Sequence, residues 1–315
     1  MLTIQDIILA LYMELLRKKV ISDYPWIKEK NKFFMISADY DGIICASFLN
    51  HFFNWKLAGY YNMETLWLSE DAMQNKENLI WVDLNILPIK GRTIGGHIVS
   101  IDDSIPKGFK TSCNPNLLLN VNSKKFKNKF PFSTILFLMW IHNIYPKNNL
   151  ISKLLLLHAD AVWLKLQNYS DNVNNWKKIL SDYDWNQIFS KVNSKKFDKK
   201  IDEILYSEMK EIGALSRRSK LSSKHLNIQS REYICNPDWD DDIILKLFNI
   251  FGNELDWSPP SLPMITKKIA GSRNKIALSE VKKIGLNNFI KFNKIFSYAI
   301  SSPRILNYTS FNKKY

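Results

Sequence analysis

The sequence contains few cysteines. Only three occur among its 315 residues, at positions 45, 113 and 235. They are widely separated and lack the close spacing that zinc ligands or a framework of disulfide bonds would require. We therefore expect neither a zinc site nor disulfide bonds, and this cysteine usage favours a cytoplasmic location.

Long apolar runs are also lacking. The segment 130–144 is apolar but includes Pro131 and His142, and it is too short to cross a bilayer. Residues 1–20 show the apolar spacing of a helix that packs on a core, followed by basic residues, and not the pattern of a signal peptide. We expect no membrane segment, and we find no internal repeat and no long low-complexity tract.

Acidic residues are outnumbered by basic ones. The chain has 44 Lys and Arg against 30 Asp and Glu, a net charge of +14. Such a surface attracts polyanions, and nucleic acid is the partner we expect. The alternative is that frequent Lys and Asn reflect an AT-rich genome. Apolar residues make up 46% and aromatic residues 13% of the chain, which indicates an ordered protein with a substantial core.

Three successive apolar segments each end in aspartate. In a parallel sheet the carboxyl ends of the strands meet in one crevice, where open α/β folds bind their ligands. The segments and their aspartates are 35–38 with Asp39 and Asp41, 79–82 with Asp83, and 97–101 with Asp102 and Asp103.

The order of these motifs resembles the DHH phosphoesterase family, in its RecJ-like branch, over roughly the first half of the chain. The first family motif matches Asp39-Tyr40-Asp41-Gly42, and the second matches Asp83. The D-H-H triplet falls on Asp102-Asp103-Ser104, so both histidines are replaced. Pro106 and Asn114-Pro115-Asn116 resemble the residues that trail this triplet, and Asp160 matches the fourth motif.

The resemblance implies a metal centre. Family members commonly hold two manganese ions, but the lost histidines favour a single cation here. Carboxylates without imidazole favour Mn²⁺ or Mg²⁺ over zinc. The resemblance implies that the metal ligands are Asp39, Asp41, Asp83, Asp102 and Asp160, and that Asp102 and Asp103 act in catalysis.

Each aspartate has a simpler alternative. Asp39 and Asp41 are also suited to capping the helix that follows them. Asp83, Asp102 and Asp103 are ordinary turn residues. A buried Asp160 would need either a cation or a basic partner.

The predicted fold is α/β, a doubly wound and mainly parallel DHH-like sheet followed by a helical region and a smaller C-terminal domain. We expect strands ending at 38, 61, 83 and 102, and helices at 42–55, 133–142, 150–167, 175–180 and 199–212. The expected domains are 1–215, a basic linker at 216–232, and 233–315, which we expect to bind substrate.

The later basic residues are candidates for nucleic-acid contacts, because they offer charge and backbone donors to phosphate. The alternative for all of them is a solvated loop. They are Arg217 and Arg218 in the linker, and Lys267, Lys268, Arg273 and Lys275 near Gly271.

Two functions fit these patterns. The first is a divalent-metal-dependent phosphodiesterase or nuclease that acts on single-stranded nucleic acid or short oligonucleotides. The second is a catalytically degenerate DHH-like protein that serves as a nucleic-acid-binding or scaffold subunit of a larger complex.

Overall fold

The protein is built on one seven-stranded sheet, with strand order β6-β5-β4-β1-β2-β3-β9. The computed structural model describes residues 16–87, 92–193, 196–214, 221–223, 228–230 and 235–311. The strands of this sheet are β1 (Phe33–Ser37), β2 (Lys56–Tyr61), β3 (Thr65–Ser69), β4 (Ile80–Val82), β5 (Arg92–Ile94), β6 (Ser112–Cys113) and β9 (Ile265–Ala270).

Most of the sheet is parallel. β1 pairs in parallel with β2 and with β4, and β5 continues the parallel order from β4 to β6. β3 pairs antiparallel with both β2 and β9, so β3 alone runs against the direction of the other six strands. The central strand is apolar on both faces because helices cover both, and its residues 34–37 are all buried. The prediction of a mainly parallel α/β sheet is confirmed.

Helices surround this sheet, and none of the described helices is long and apolar enough to cross a membrane. Their bounds are α1 (Tyr40–Phe53), α2 (Glu70–Gln74), α3 (Pro115–Leu118), α4 (Thr134–His142), α5 (Leu150–His158), α6 (Val162–Asn168), α7 (Ser170–Ile179), α8 (Asn186–Phe189), α9 (Phe197–Ile201), α10 (Ser207–Glu211), α11 (Asp241–Leu255), α12 (Leu278–Ile284) and α13 (Leu286–Phe292). The helices predicted at 42–55 and 133–142 are confirmed as α1 and α4. Residues 16–23 are helical, and the rest of the predicted N-terminal helix lies outside the described residues.

The strand predicted at 97–102 is wrong. This segment is irregular, and the strand beside β4 is the short β5 at 92–94. The apolar pattern has another cause, because Ile98 and Val99 are buried under β11 (Ile295–Ser302). The Ile98 carbonyl accepts a hydrogen bond from the Ile300 amide at 2.8 Å, and the Val99 carbonyl accepts one from the Tyr298 hydroxyl at 2.7 Å.

The single helix predicted at 150–167 is also wrong, because the chain breaks between α5 and α6. Asp160 and Ala161 adopt the left-handed conformation, with φ of 52° and 50°. Neither residue type favours this conformation as glycine does, so nothing in the sequence indicates the break.

The C-terminal residues contribute to the main sheet and also form a small one. α11 packs against α1 and α5, and β9 forms the sheet edge. β10 (Ser272–Ala277), β11 and β12 (Ile305–Ser310) form a three-stranded antiparallel sheet. Within the predicted linker, β7 (Leu221–Ser223) pairs with β8 (Ile228–Ser230), and its other residues lie outside the described part of the chain.

Gly42 allows α1 to start directly against the end of β1. A Cβ atom at this position would lie 2.1 Å from the Ser37 carbonyl oxygen and 2.6 Å from the Ser37 hydroxyl. Any side chain would therefore push α1 away from the strand.

We expect Gly42→Ala to lower the free energy of unfolding by about 3 kcal/mol, because the helix must shift to relieve this clash. Chemical denaturation measures the change. The control is Ser47→Ala in the same buried helix, which removes one long hydrogen bond of 3.4 Å to the Ile43 carbonyl and should cost about 1 kcal/mol. Equal losses in the two variants would contradict the close packing.

Candidate metal centre

Asp39 lies at the end of β1 and caps α1. Its carboxylate accepts hydrogen bonds from the Gly42 amide at 3.0 Å and from the Ser37 hydroxyl at 2.7 Å. The capping role considered for Asp39 is therefore confirmed.

Asp41 does not cap its own helix. Its two carboxylate oxygens accept hydrogen bonds from the Thr134 amide at 2.6 Å and the Ile135 amide at 3.0 Å, at the start of α4. The amides at a helix start have no partners within the helix and carry partial positive charge, so they stabilise this buried carboxylate.

Asp83 follows β4 in the left-handed conformation, with a φ of 59°. Its buried carboxyl group accepts a hydrogen bond from the Thr134 hydroxyl at 2.7 Å, and its other oxygen lies 2.5 Å from the Ser37 hydroxyl. Ser37 and Thr134 therefore link Asp83 to the ends of β1 and α4.

Asp160 completes a group of carboxylates. Asp41, Asp83 and Asp160 each offer an oxygen within 4.8 Å of the others, and no other such group of three occurs among the described residues. We call these three residues the aspartate group. Asp160 is exposed, whereas the other two are buried, so one side of the group faces solvent. The exposure removes the burial cost on which the sequence argument for Asp160 depended.

Burial and mutual repulsion raise the pKa values of the carboxyl groups in this centre. Burial raises the pKa of Asp83 well above its ordinary value, and the charges of Asp41 and Asp39 raise it further. The pKa of Asp41 is raised well above its ordinary value by burial and then by Asp160 and Asp39. Burial raises the pKa of Asp39 to about 6, against the hydrogen bonds from Gly42 and Ser37.

The Ser37 hydroxyl supports the same conclusion. It lies within hydrogen-bond distance of a carboxylate oxygen of both Asp39 and Asp83. A hydroxyl has one proton to donate, so the second contact is a hydrogen bond only when that carboxyl group is itself protonated. This arrangement therefore suits a proton shared between the two aspartates.

The donor set fits a hard divalent cation. It consists of carboxylate oxygens, which Mg²⁺ and Mn²⁺ prefer, with no thiol of a described cysteine in the group. Each oxygen of Asp41 and Asp83 that accepts one hydrogen bond keeps a second lone pair. A cation would also offset the repulsion among the three charges.

Asp102 and Asp103 lie outside the aspartate group. Both are exposed in the irregular segment after β5. Asp102 accepts hydrogen bonds from the Ser104 hydroxyl and amide, which lower its pKa. Asp103 accepts a hydrogen bond from Asn122 at 2.9 Å and pairs with Lys125 at 3.7 Å. The strand that pairs with β4 is β5, and the residues that follow β5 are Gly95-Gly96-His97 and not the two aspartates.

The basic candidates of the C-terminal region lie at another edge. Lys267 and Lys268 are on β9, three strands from β1 and therefore roughly 14 Å away across the sheet. Lys268 pairs with Asp238 and lies over the Trp67 ring. Arg273 and Lys275 are exposed on β10. Arg217 and Arg218 lie outside the described residues.

The sequence analysis did not identify Ser37 and Thr134 as site residues. Ser37 belongs to none of the motifs considered above, yet its hydroxyl contacts two aspartates. Thr134 had one available signal, its place at the start of an apolar helix, where amides are free to bind an anion. That signal does not indicate which anion it meets.

Comparisons with protein-family models, curated proteins and solved structures returned no match. The resemblance to the DHH family therefore stays a prediction from the motifs.

We expect Asp83→Asn to stabilise the protein at pH 8 in EDTA by about 1 kcal/mol or more, or about 2 °C in Tm. The folded protein holds the Asp83 proton more tightly than the unfolded chain, because its pKa is raised from 3.8. This contribution is present at low pH and lost as the pH rises through the folded pKa, whereas Asn stays neutral. An Asn side chain can still accept one hydrogen bond and donate another, as Ser37 and Thr134 require.

The difference in Tm between wild type and Asp83→Asn should therefore grow from pH 4 to pH 8, as measured by thermal unfolding. The exposed Asp71→Asn serves as the control and should change the free energy of unfolding at pH 8 by less than about 0.5 kcal/mol. If Asp83→Asn is less stable than the wild type at pH 8, the negative charge of Asp83 does not destabilise the folded protein and this explanation is wrong.

Proposed function

We propose that the chain is a divalent-metal-dependent phosphodiesterase that acts on single-stranded nucleic acid or short oligonucleotides, with Mn²⁺ or Mg²⁺ as its cofactor. The observation that supports this best is the aspartate group, whose three carboxylates lie within 4.8 Å of one another. Asp41 follows the end of β1, Asp83 follows the end of β4, and Asp160 lies at the chain break before α6. The net charge of +14 supports a polyanionic substrate.

In this proposal Asp41, Asp83 and Asp160 hold the cation. A cation bound there supplies Lewis-acid chemistry to a phosphate ester. Asp41 and Asp83 are fixed by four hydrogen bonds from Ser37, Thr134 and Ile135, so their oxygens keep their positions without the ligand. Asp39, which has a pKa of about 6, is suited to hold or release a proton beside this centre near neutral pH.

A second candidate is a degenerate DHH-like protein that binds nucleic acid or a protein complex without turnover. It is favoured by Asp41, because both of its oxygens already serve the start of α4, a structural role that needs no cation. The absence of histidine from 102–104 points the same way. The two candidates differ in one property, whether the aspartate group binds a divalent cation.

We expect the wild-type protein to bind Mn²⁺ in calorimetry and to cleave a single-stranded oligonucleotide. Asp160→Asn should lose Mn²⁺ binding by about tenfold or more and lose cleavage with it, because a charged ligand is removed. Asp160 is exposed, so this variant should fold normally. The control Asp71→Asn removes an exposed carboxylate on α2 and should keep both properties.

Binding of oligonucleotide without Mn²⁺ binding or cleavage would favour the degenerate candidate. Mn²⁺ binding that Asp160→Asn leaves unchanged would place the cation elsewhere.

A further inference from the structure

Lys129 is held beside the segment that follows β5. The Lys129 carbonyl accepts a hydrogen bond from the Asn172 side chain at 2.8 Å, which fixes it against α7. The next residue, Phe130, has its ring carbon 3.1 Å from the place where a Gly96 Cβ would lie. The residue after Lys129 therefore packs against Gly96, the residue before His97, and Lys129 itself is half-buried.

Lys165 lies on α6, which begins at Val162, two residues after Asp160. Its side chain is half-buried, and α6 packs against α7, the helix that holds Lys129. α6 and α7 thus connect both lysines to the chain break at Asp160, the exposed member of the aspartate group.

The electrostatic interactions connect these residues. The pKa of Lys129 is lowered to about 8 by burial and by the charge of Lys165, against the charge of Asp160. Desolvation by the surrounding protein lowers the pKa of His97, which Asp160 raises and the two lysines lower. The His97 side chain is nonetheless exposed, so a ligand can reach it.

The two ammonium groups lack a carboxylate partner at ion-pair distance among the described residues. The Lys129 ammonium lies over the Phe126 ring at 5.0 Å, a contact that attracts a cation but does not neutralise it. A partly buried cation that a second cation repels is stabilised by a bound anion. Next to a centre that fits a divalent cation, the anion best suited to bridge both is a phosphate.

We propose that Lys129, Lys165 and His97 form a subsite for one phosphate group of an oligonucleotide, beside the aspartate group. This inference rests on the proposed function for the choice of oligonucleotide, but the phosphate subsite can be tested without turnover. In this inference the phosphate binds to these three residues and not to the basic residues of β9 and β10 that the sequence suggested.

The test is equilibrium binding of a fluorescein-labelled thymidine oligonucleotide, measured by fluorescence anisotropy in EDTA and in MnCl₂, with inorganic phosphate as competitor. We expect K129Q/K165Q to weaken oligonucleotide and phosphate binding by about tenfold or more, because two charge-assisted contacts are lost. Mn²⁺ binding should remain, which also shows that the variant is folded. The matched control K282Q/K283Q removes two exposed charges from α12 and should change phosphate competition by less than about twofold.

Unchanged affinities in K129Q/K165Q, or a wild-type protein that binds neither probe in either buffer, would overturn the subsite. Phosphate binding without oligonucleotide binding would overturn its assignment to nucleic acid. Should the double variant fail to fold, K165Q alone decides, with an expected loss of about threefold. Phosphate binding that depends on the lysines, without Mn²⁺ binding or cleavage, would support the subsite and refute the phosphodiesterase.

Discussion

The hydrogen bonds from the start of α4 to Asp41 fix the arrangement of the whole centre. α4 is buried along its entire length, so its first amides cannot reach water and need a partner inside the protein. Asp41 supplies that partner from α1, and Gly42 lets α1 approach β1 closely enough to place it there. The contact sets the position of α1 relative to α4. It thereby also positions Asp39 and Asp83, which contact Ser37 at the end of β1.

The same contact creates an electrostatic conflict. The amides and hydroxyls that bind Asp41 and Asp83 satisfy their oxygens, but as neutral donors they do not cancel the charges. With Asp160 added, the protein relieves the repulsion by taking up protons or by binding a cation. Asp83 and Asp160 hold left-handed conformations in order to join the group. Such backbone costs are characteristic of sites whose geometry serves more than folding.

The sequence was informative where local pattern and tertiary position agree. The motif Asp39-Tyr40-Asp41-Gly42 follows a buried strand, and both the strand and the helix after it were predicted. Asp102 was misplaced because Ile98 and Val99 are buried by β11, from the other end of the chain, and not by sheet neighbours. The actual third strand, β5, has three residues and no apolar run, so periodicity does not reveal it. Asp160 was brought to the site by a break in a helix that the sequence does not signal.

Net charge predicts a class of partner but not the residues that bind it. An excess of lysine attracts polyanions wherever the lysines lie, because the long-range field depends on their sum. Contacts that position a phosphate depend instead on local pairing and desolvation. Lys268 has its charge balanced by Asp238 and its side chain placed over Trp67, so it is committed to the fold at the sheet edge. Lys129 is half-buried and has no carboxylate at ion-pair distance among the described residues, and this difference is the reason that our proposal assigns the phosphate to Lys129 and not to Lys268.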